Sequence, residues 1–209
     1  MTRAFDLATR QQIAARCEAF ARLPANQPSL ALKRAAVAIT LVEADGPGET
    51  ALLLTLRAAG LRAHRGQWAL PGGRCDEGET LVAAALRELH EELGPELGEE
   101  HVLGVLDDYP TRSGYLITPV VVWAPTSGAI SPNPGEVASV HRIALETIEQ
   151  PDAFDFIAIP ESQRRVIRFR HAGRFIHAPT AALIYQFREV LGGRDTRVSE
   201  LEQPVFAWK

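Results

Sequence analysis

Cysteine occurs only twice, as Cys17 and Cys75, far apart along the chain. Two thiols so separated suggest neither a disulfide framework nor a cysteine-rich zinc site. An excess of positive charge is also lacking. The formal charge is −4 and the pI is near 5.9, which argues against a generic nucleic-acid-binding surface. No apolar run reaches the roughly 20 residues that cross a bilayer. The first residues, MTRAFDLATRQQ, hold no apolar signal core. A membrane partner is therefore not expected, and the cytoplasm is the expected setting. Internal repeats and low-complexity segments are missing as well. The chain has 209 residues, 46% of them hydrophobic, enough to bury one good core and carry an extra terminal element.

Helical periodicity runs from Leu7 to Leu23, with Ile13, Phe20 and Leu23 among its apolar residues, until residues 24–28 (PANQP) break it. Compact apolar runs at Ala35–Val42 and Thr50–Leu56, separated by residues 45–48 (DGPG), predict two strands and a turn. Val102–Tyr109 and Tyr115–Trp123 read as two more strands across residues 112–114. Strand patterns recur at Val137–Leu145, Val166–Arg170 and Phe175–Ala178. A last helix is expected over Thr180–Leu191, closed by Gly192 and Gly193. The sum is a mixed sheet with helices on its faces, an α/β or α+β sandwich.

The chemistry is concentrated between Leu70 and Gly94. Thr80–Leu93 has no proline or glycine and is rich in Ala, Leu and Glu, which predicts a helix. Val82, Ala85, Leu89 and Leu93 make a stripe that suits packing on a sheet. Glu88 and Glu92 stand four apart on another face, with Glu91 beside both. Like charges at that spacing destabilise a helix, so something positive must offset them, and hard carboxylate oxygens suit Mg²⁺ or Mn²⁺. A solvated acidic face is the plainer alternative. Against it stands the loop Leu70-Pro71-Gly72-Gly73, which lets backbone approach a ligand closely. Glu79 and Arg87, eight apart, are placed to pair if that loop folds back. Cys75 lies in the same loop and is read as a tolerated small residue, with no base to make it a nucleophile.

Together these residues spell Gly-x5-Glu-x7-Arg-Glu-Leu-x-Glu-Glu-x-Gly, from Gly73 to Gly94. The segment resembles the signature of the Nudix hydrolases, with every charged and glycine position filled. It departs at Pro95, where the family usually has an aliphatic residue. The resemblance implies an α/β/α sandwich and a loop–helix–loop that binds divalent cations and cleaves a nucleoside diphosphate linked to another group. It implies that Glu88 and Glu92 are core metal ligands, Glu91 a third, and Glu79 and Arg87 the ion pair that shapes the loop. The chemistry is consistent: metal ions neutralise a pyrophosphate, orient it and lower the pKa of a water, and phosphoryl transfer is mostly positioning and charge stabilisation.

Upstream of this segment, Arg57, Arg62, His64 and Arg65 concentrate positive charge immediately before Pro71. Such a cluster suits phosphate groups, and a solvated basic loop is the alternative. The order Leu61-Arg62-x-His64-x-Gly66-Gln67 followed by Pro71-Gly72-Gly73 resembles the coenzyme A pyrophosphatase branch of that family. So do residues 111–114 before Thr118-Pro119-Val120, then Asn133-Pro134-x-Glu136-Val137, and finally Ile176 through Ala181. Trp68 and Leu70 replace the Val and Phe usual in that branch, and His177 replaces its frequent Trp. The resemblance covers residues 30–192, leaving an N-terminal helical extension (1–29) and a C-terminal tail (193–209). It implies hydrolysis of CoA or its esters to 3′,5′-ADP and 4′-phosphopantetheine. Arg57, Arg62, His64, Gln67, Gly72 and Gly73 would form the substrate cleft, and Glu136 is a candidate outer ligand or general base. Alternatives are a pyrophosphatase for ADP-ribose or another nucleotide derivative, a non-hydrolytic nucleotide sensor, and an interaction protein using its acidic helix. The apolar residues of Leu7–Leu23 need cover, from the protein's own sheet or from a second subunit. A homodimer is the expectation, as two-fold pairing is the commonest soluble assembly.

Overall fold

A computed structural model of the protein describes residues 3–25, 27–46, 48–60, 65–125 and 130–207. Its centre is a parallel pair, β1 (Lys33–Glu43) and β7 (Tyr115–Trp123), in unbroken register from Lys33↔Tyr115 to Leu41↔Trp123. β2 (Thr50–Arg57) pairs antiparallel with only the last residues of β1, Leu41 to Glu43, and along its other edge with β8 (Val137–Ala144). Past Leu41 the two strands part, and one stretch of chain fills the gap between them. There β3 (Trp68–Ala69) pairs with β2, and β4 (Gly72–Arg74) pairs with β1. β5 (Val102–Val105) and β6 (Tyr109–Pro110) join β7.

Both faces of this sheet are covered, which is why its strands read as continuous apolar runs rather than clean alternations. Ile39, Leu41, Leu52, Leu54 and Val121 belong to one core, and Ala36, Ala38, Val42, Leu53 and Val120 to the other. The helix α2 (Leu81–Leu93) closes the second core with Ala84, Ala85, Leu89 and Leu93, all fully buried. On the first face lie α1 (Leu7–Ala19), the short α3 (Leu145–Glu149) and α4 (Thr180–Leu191). Behind α4 is a three-stranded antiparallel sheet of β9 (Phe154–Ile159), β10 (Ser162–His171) and β11 (Arg174–His177). The architecture is an α/β/α sandwich with a mixed sheet. Among the described residues no helix is long and apolar enough to cross a membrane.

Several local readings of the sequence are corrected. The Val102–Tyr109 run breaks after Val105, because Asp107 and Asp108 are buried and turn to partners elsewhere. Asp107 accepts from the Leu23 amide (2.7 Å) and from Arg197 Nη1 (2.8 Å). Asp108 accepts from Arg22 Nη2 (2.8 Å) and Thr118 Oγ1 (2.5 Å). The first helix stops at Ala19, and Leu23 is exposed beyond it, its amide claimed by Asp107. The glycines Gly72 and Gly73 lie in a short strand, held in register by β1. β9 lies outside the strands the sequence predicts: the six residues before Pro160 show little pattern of their own, and pairing with β10 makes them a strand.

The flanking segments share the main core. Asp6 caps α1 by accepting from the Thr9 amide (2.7 Å), and Ile13, Cys17 and Phe20 then fall on one buried side. α1 meets β5 so closely that a Cβ on Gly104 would collide with the Cys17 Cβ, and burial pushes the Cys17 thiol up to about 12. At the other end Val198 is fully buried. Glu202, only 3% exposed at its side chain, accepts from Arg112 Nε (3.0 Å) and Nη2 (2.5 Å) and from Ser162 Oγ (2.8 Å).

Arg112 and the other donors hold the Glu202 carboxyl down at about 2. A depressed carboxyl contributes stability above its unfolded pKa and loses it as pH falls through the folded one. Glu202→Gln is therefore expected to destabilise the protein at pH 7 by about 1.5–3 kcal/mol, the range for hydrogen bonds to charged groups. Thermal melts at several pH values should show its deficit in Tm shrinking between about pH 4.5 and pH 2. A deficit independent of pH would show that the charge is not what matters.

Candidate active site

The acidic face of α2 is presented to the gap where β1 and β2 part. Thr80 starts the helix, its hydroxyl accepting from the Ala83 amide (3.1 Å), and Gly94 ends it in the left-handed conformation (φ 91°). The helix lies so close to β4 that a Cβ on Gly73 would overlap the Glu88 carboxylate. Glycine at that position is thus a condition for Glu88 to occupy its place.

Arg87 organises the loop before the helix. Its Nε and Nη2 donate to the two oxygens of Glu79 (2.9 and 3.0 Å), and Nη2 also donates to the Arg74 carbonyl (3.0 Å). Nη1 donates to Glu88 Oε1 (2.9 Å) and Glu91 Oε2 (3.3 Å). Glu79 Oε2 in turn accepts from the Asp76 amide (2.9 Å). A planar guanidinium makes a two-pronged carboxylate pair with good geometry. Here it fixes residues 74–79 against the helix and holds the Glu79 carboxyl below its ordinary value.

The three acids of the helix differ in surroundings. Glu91 is half exposed, Glu88 mostly buried, and Glu92 almost wholly so. Burial raises the Glu88 carboxyl, partly offset by Arg87 and reinforced by Glu91 and Glu136. Glu92 is pushed up to about 7, first by burial and then by the charges of Glu136 and Glu88. Arg57 Nη1, 3.7 Å from Glu92 Oε1, and the Gly72 amide pull it back. The Arg57 Nε is itself buried and has no hydrogen-bond partner. Glu136 arrives from the loop before β8, which lies over the end of α2: Asn133 N donates to the Glu92 carbonyl (2.9 Å), and Asn133 Nδ2 to Glu136 Oε1 (3.3 Å). The Glu136 carbonyl accepts from the Ala58 amide (2.8 Å), just past Arg57.

Glu88, Glu92, Glu136, Arg57, Gly72 and Gly73 are thus brought to one place, with Glu79 and Arg87 behind them and Glu91 at the rim. Among the described residues no three His, Cys, Asp or Glu side chains are close enough together to hold a metal ion as they stand. Glu88 and Glu91 are turned towards Arg87, and Glu92 towards Arg57. Gln67 is joined to Arg57 through the backbone, its carbonyl accepting the Arg57 amide (3.0 Å). Arg62 and His64 lie outside the described residues.

Sequence reasoning missed an aromatic group on the other face. Trp68 meets His141 edge-on (4.6 Å) and His171 likewise (5.5 Å), and the Ser139 hydroxyl lies 2.9 Å from His141 Nε2. Burial and the neighbouring His141 lower the His171 imidazole. The three rings come from β3, β8 and β10, so no local spacing announced them. Trp68 and His177, both departures from the resembled branch, line one cavity beside β11.

Comparison with known proteins agrees with this geometry. The NUDIX domain pattern matches residues 32–163. A protein of Photorhabdus laumondii described as an uncharacterized Nudix hydrolase, NudL, is 34% identical over 141 residues, covering 66% of this chain and 75% of its own. A Yersinia pestis protein of the same description is 36% identical over 155 residues, covering 73% and 76%. In fold, the crystal structure of a MutT/nudix family protein from Enterococcus faecalis is similar with a TM-score of 0.53 at 18% identity, covering 90% of this chain and 70% of that one. With the matched pattern spanning more than half its length and its acidic helix set over a glycine-bearing strand, the chain belongs to the Nudix family and is a hydrolase of phosphoric anhydrides.

Proposed function

We propose that the protein hydrolyses the pyrophosphate of coenzyme A or its esters, giving 3′,5′-ADP and 4′-phosphopantetheine or its acyl form, with Mg²⁺ or Mn²⁺ as cofactor. The observation that carries the hydrolytic part is the convergence of Glu88, Glu92 and Glu136 on the gap beside Gly73. The Glu88 and Glu92 carboxyls, raised by burial and by the charge of Glu136 beside them, are a donor set short of positive charge, and the hard oxygen chemistry fits a divalent cation. Glu88 and Glu92 would hold it, with Glu91 as a third ligand. The bound cation supplies charge neutralisation of the diphosphate and activation of water. The protein's own part is positioning. Arg87 and Glu79 keep the loop in place, the Gly72 and Gly73 backbone leaves room for the diphosphate, and Arg57 stands ready to meet a phosphate oxygen. Glu136 is assigned as general base, taking a proton from the attacking water as the bridging P–O bond breaks.

The CoA reading is supported by the residue order from Leu61 to Gln67 and by Arg57 standing at the edge of the acidic group. CoA differs from ADP-ribose in its 3′-phosphate, which basic side chains recognise through charge-assisted hydrogen bonds.

Glu88→Gln and Glu92→Gln keep shape and helix propensity but remove an anionic ligand. Each is expected to lower turnover by orders of magnitude at saturating Mg²⁺ while circular dichroism shows an intact fold. Near-full activity in both would overturn the site assignment. For the substrate, kcat/KM should be about ten- to a hundred-fold higher for CoA than for dephospho-CoA, the loss of one charged hydrogen bond, and Arg62→Ala should narrow that gap. Faster turnover of ADP-ribose, or none of CoA, would reject CoA and leave the hydrolase standing.

A further inference from the structure

Five large hydrophobic side chains are exposed among the described residues, and the two aromatic ones, Phe175 (40%) and Phe206 (63%), line the same cavity of about 250 Å³. Trp68 and His177 also line it, with the His177 ring edge-on to Phe206 at 5.2 Å. Gln67 and Gln203 also belong to the lining, the Gln203 Oε1 accepting from the Arg112 amide (2.6 Å), and among the described residues Arg174 is its one permanently charged member. Such a wall does not suit a phosphate, which calls for several cations. It suits a flat, neutral ring, because ring faces reward stacking.

The cavity and the acidic site are tied to each other through the backbone. Gln67 lines it and is bonded to Arg57, whose guanidinium reaches Glu92. Along the chain Trp68 is four residues from Gly72, a span of at most about 14 Å. A flexible amide chain in the same place would lose more conformational freedom on binding and gain nothing from the ring faces.

We infer that this cavity, between β11, the start of α4 and the C-terminal segment, receives the adenine ring of the substrate, held against Phe206 and Phe175. The inference rests on the proposed nucleotide substrate and says where its base goes. The 3₁₀ turn at Val205–Ala207 that carries Phe206 then serves specificity, a role outside the residues matched by the family pattern.

Adenosine tests this separately from the acidic site, since it has no phosphate and needs no metal. Titrating it into the metal-free full chain should shift the indole N–H resonance of Trp68 in an NMR spectrum. Phe206→Ala and Phe206→Leu should each weaken the fitted Kd by about ten- to a hundred-fold, and Phe206→Tyr should restore it. Phe206 is exposed, so these variants should fold. A Kd for Phe206→Leu equal to wild type would overturn stacking. Failure of adenosine to bind, or pantetheine shifting the Trp68 signal in its place, would overturn the assignment of the base. If adenosine binds as expected but CoA is not hydrolysed, the cavity assignment stands and the CoA reading falls.

Discussion

The close approach of α2 to the Gly72–Gly73 backbone is the constraint on which the site depends. It exists because β1 and β2 pair only at Leu41–Glu43 and then part, leaving room for one extended stretch, residues 68–74, to pair with both. A side chain at position 73 would occupy the space of the Glu88 carboxylate. From this contact follow the Gly72 amide aimed at Glu92, the Arg74 carbonyl within reach of Arg87, and the loop that Glu79 closes. The buried stripe of Ala84, Ala85, Leu89 and Leu93 holds the helix there. Apolar packing thus sustains a face where like charges gather.

Those charges are shared out rather than left to repel. Arg87 takes Glu79, Glu88 and Glu91, while Arg57 faces Glu92. The division leaves Glu92 the least compensated of the group, deeply buried and near a single cation. A buried carboxylate in that condition favours whatever positive charge can enter the site. The arrangement also explains why the acids of the helix stand apart as they do: Glu88 and Glu91 are drawn to one guanidinium and Glu92 to the other.

The rest of the fold is tied together by a second set of buried acids, which join the residues matched by the family pattern to segments on either side of it. Asp107 and Asp108 bind both the stretch after α1 and Arg197 near the C-terminus, and Glu202 binds Arg112. The Tyr109 hydroxyl donates to the Leu201 carbonyl (2.8 Å). The segments before residue 30 and after residue 192 therefore complete the first core, and α1 spends Ile13 and Cys17, with Phe20 just after it, on this chain's own interior. The C-terminal segment, so anchored, is also what carries Phe206 to the edge of the cavity beside Trp68.

Elements whose signals are local could be read from the order of residues alone. The helix from Leu81 to Leu93 followed from composition and spacing, α4 from its apolar pattern and terminal glycines, and the central strands from long apolar runs. The acids were legible because spacing on a helix is a short-range property. Whatever depends on distant partners emerged only with the folded chain. β3, β4 and β9 are strands because neighbours supply their hydrogen bonds, and Asp107–Asp108 break a strand because cations from both chain ends reach them. The different burial of Glu88, Glu91 and Glu92 likewise depends on β4, Arg57 and the Asn133–Glu136 turn. No run of residues encodes how far a carboxylate lies from a strand many positions away; the packing of the two cores sets that distance.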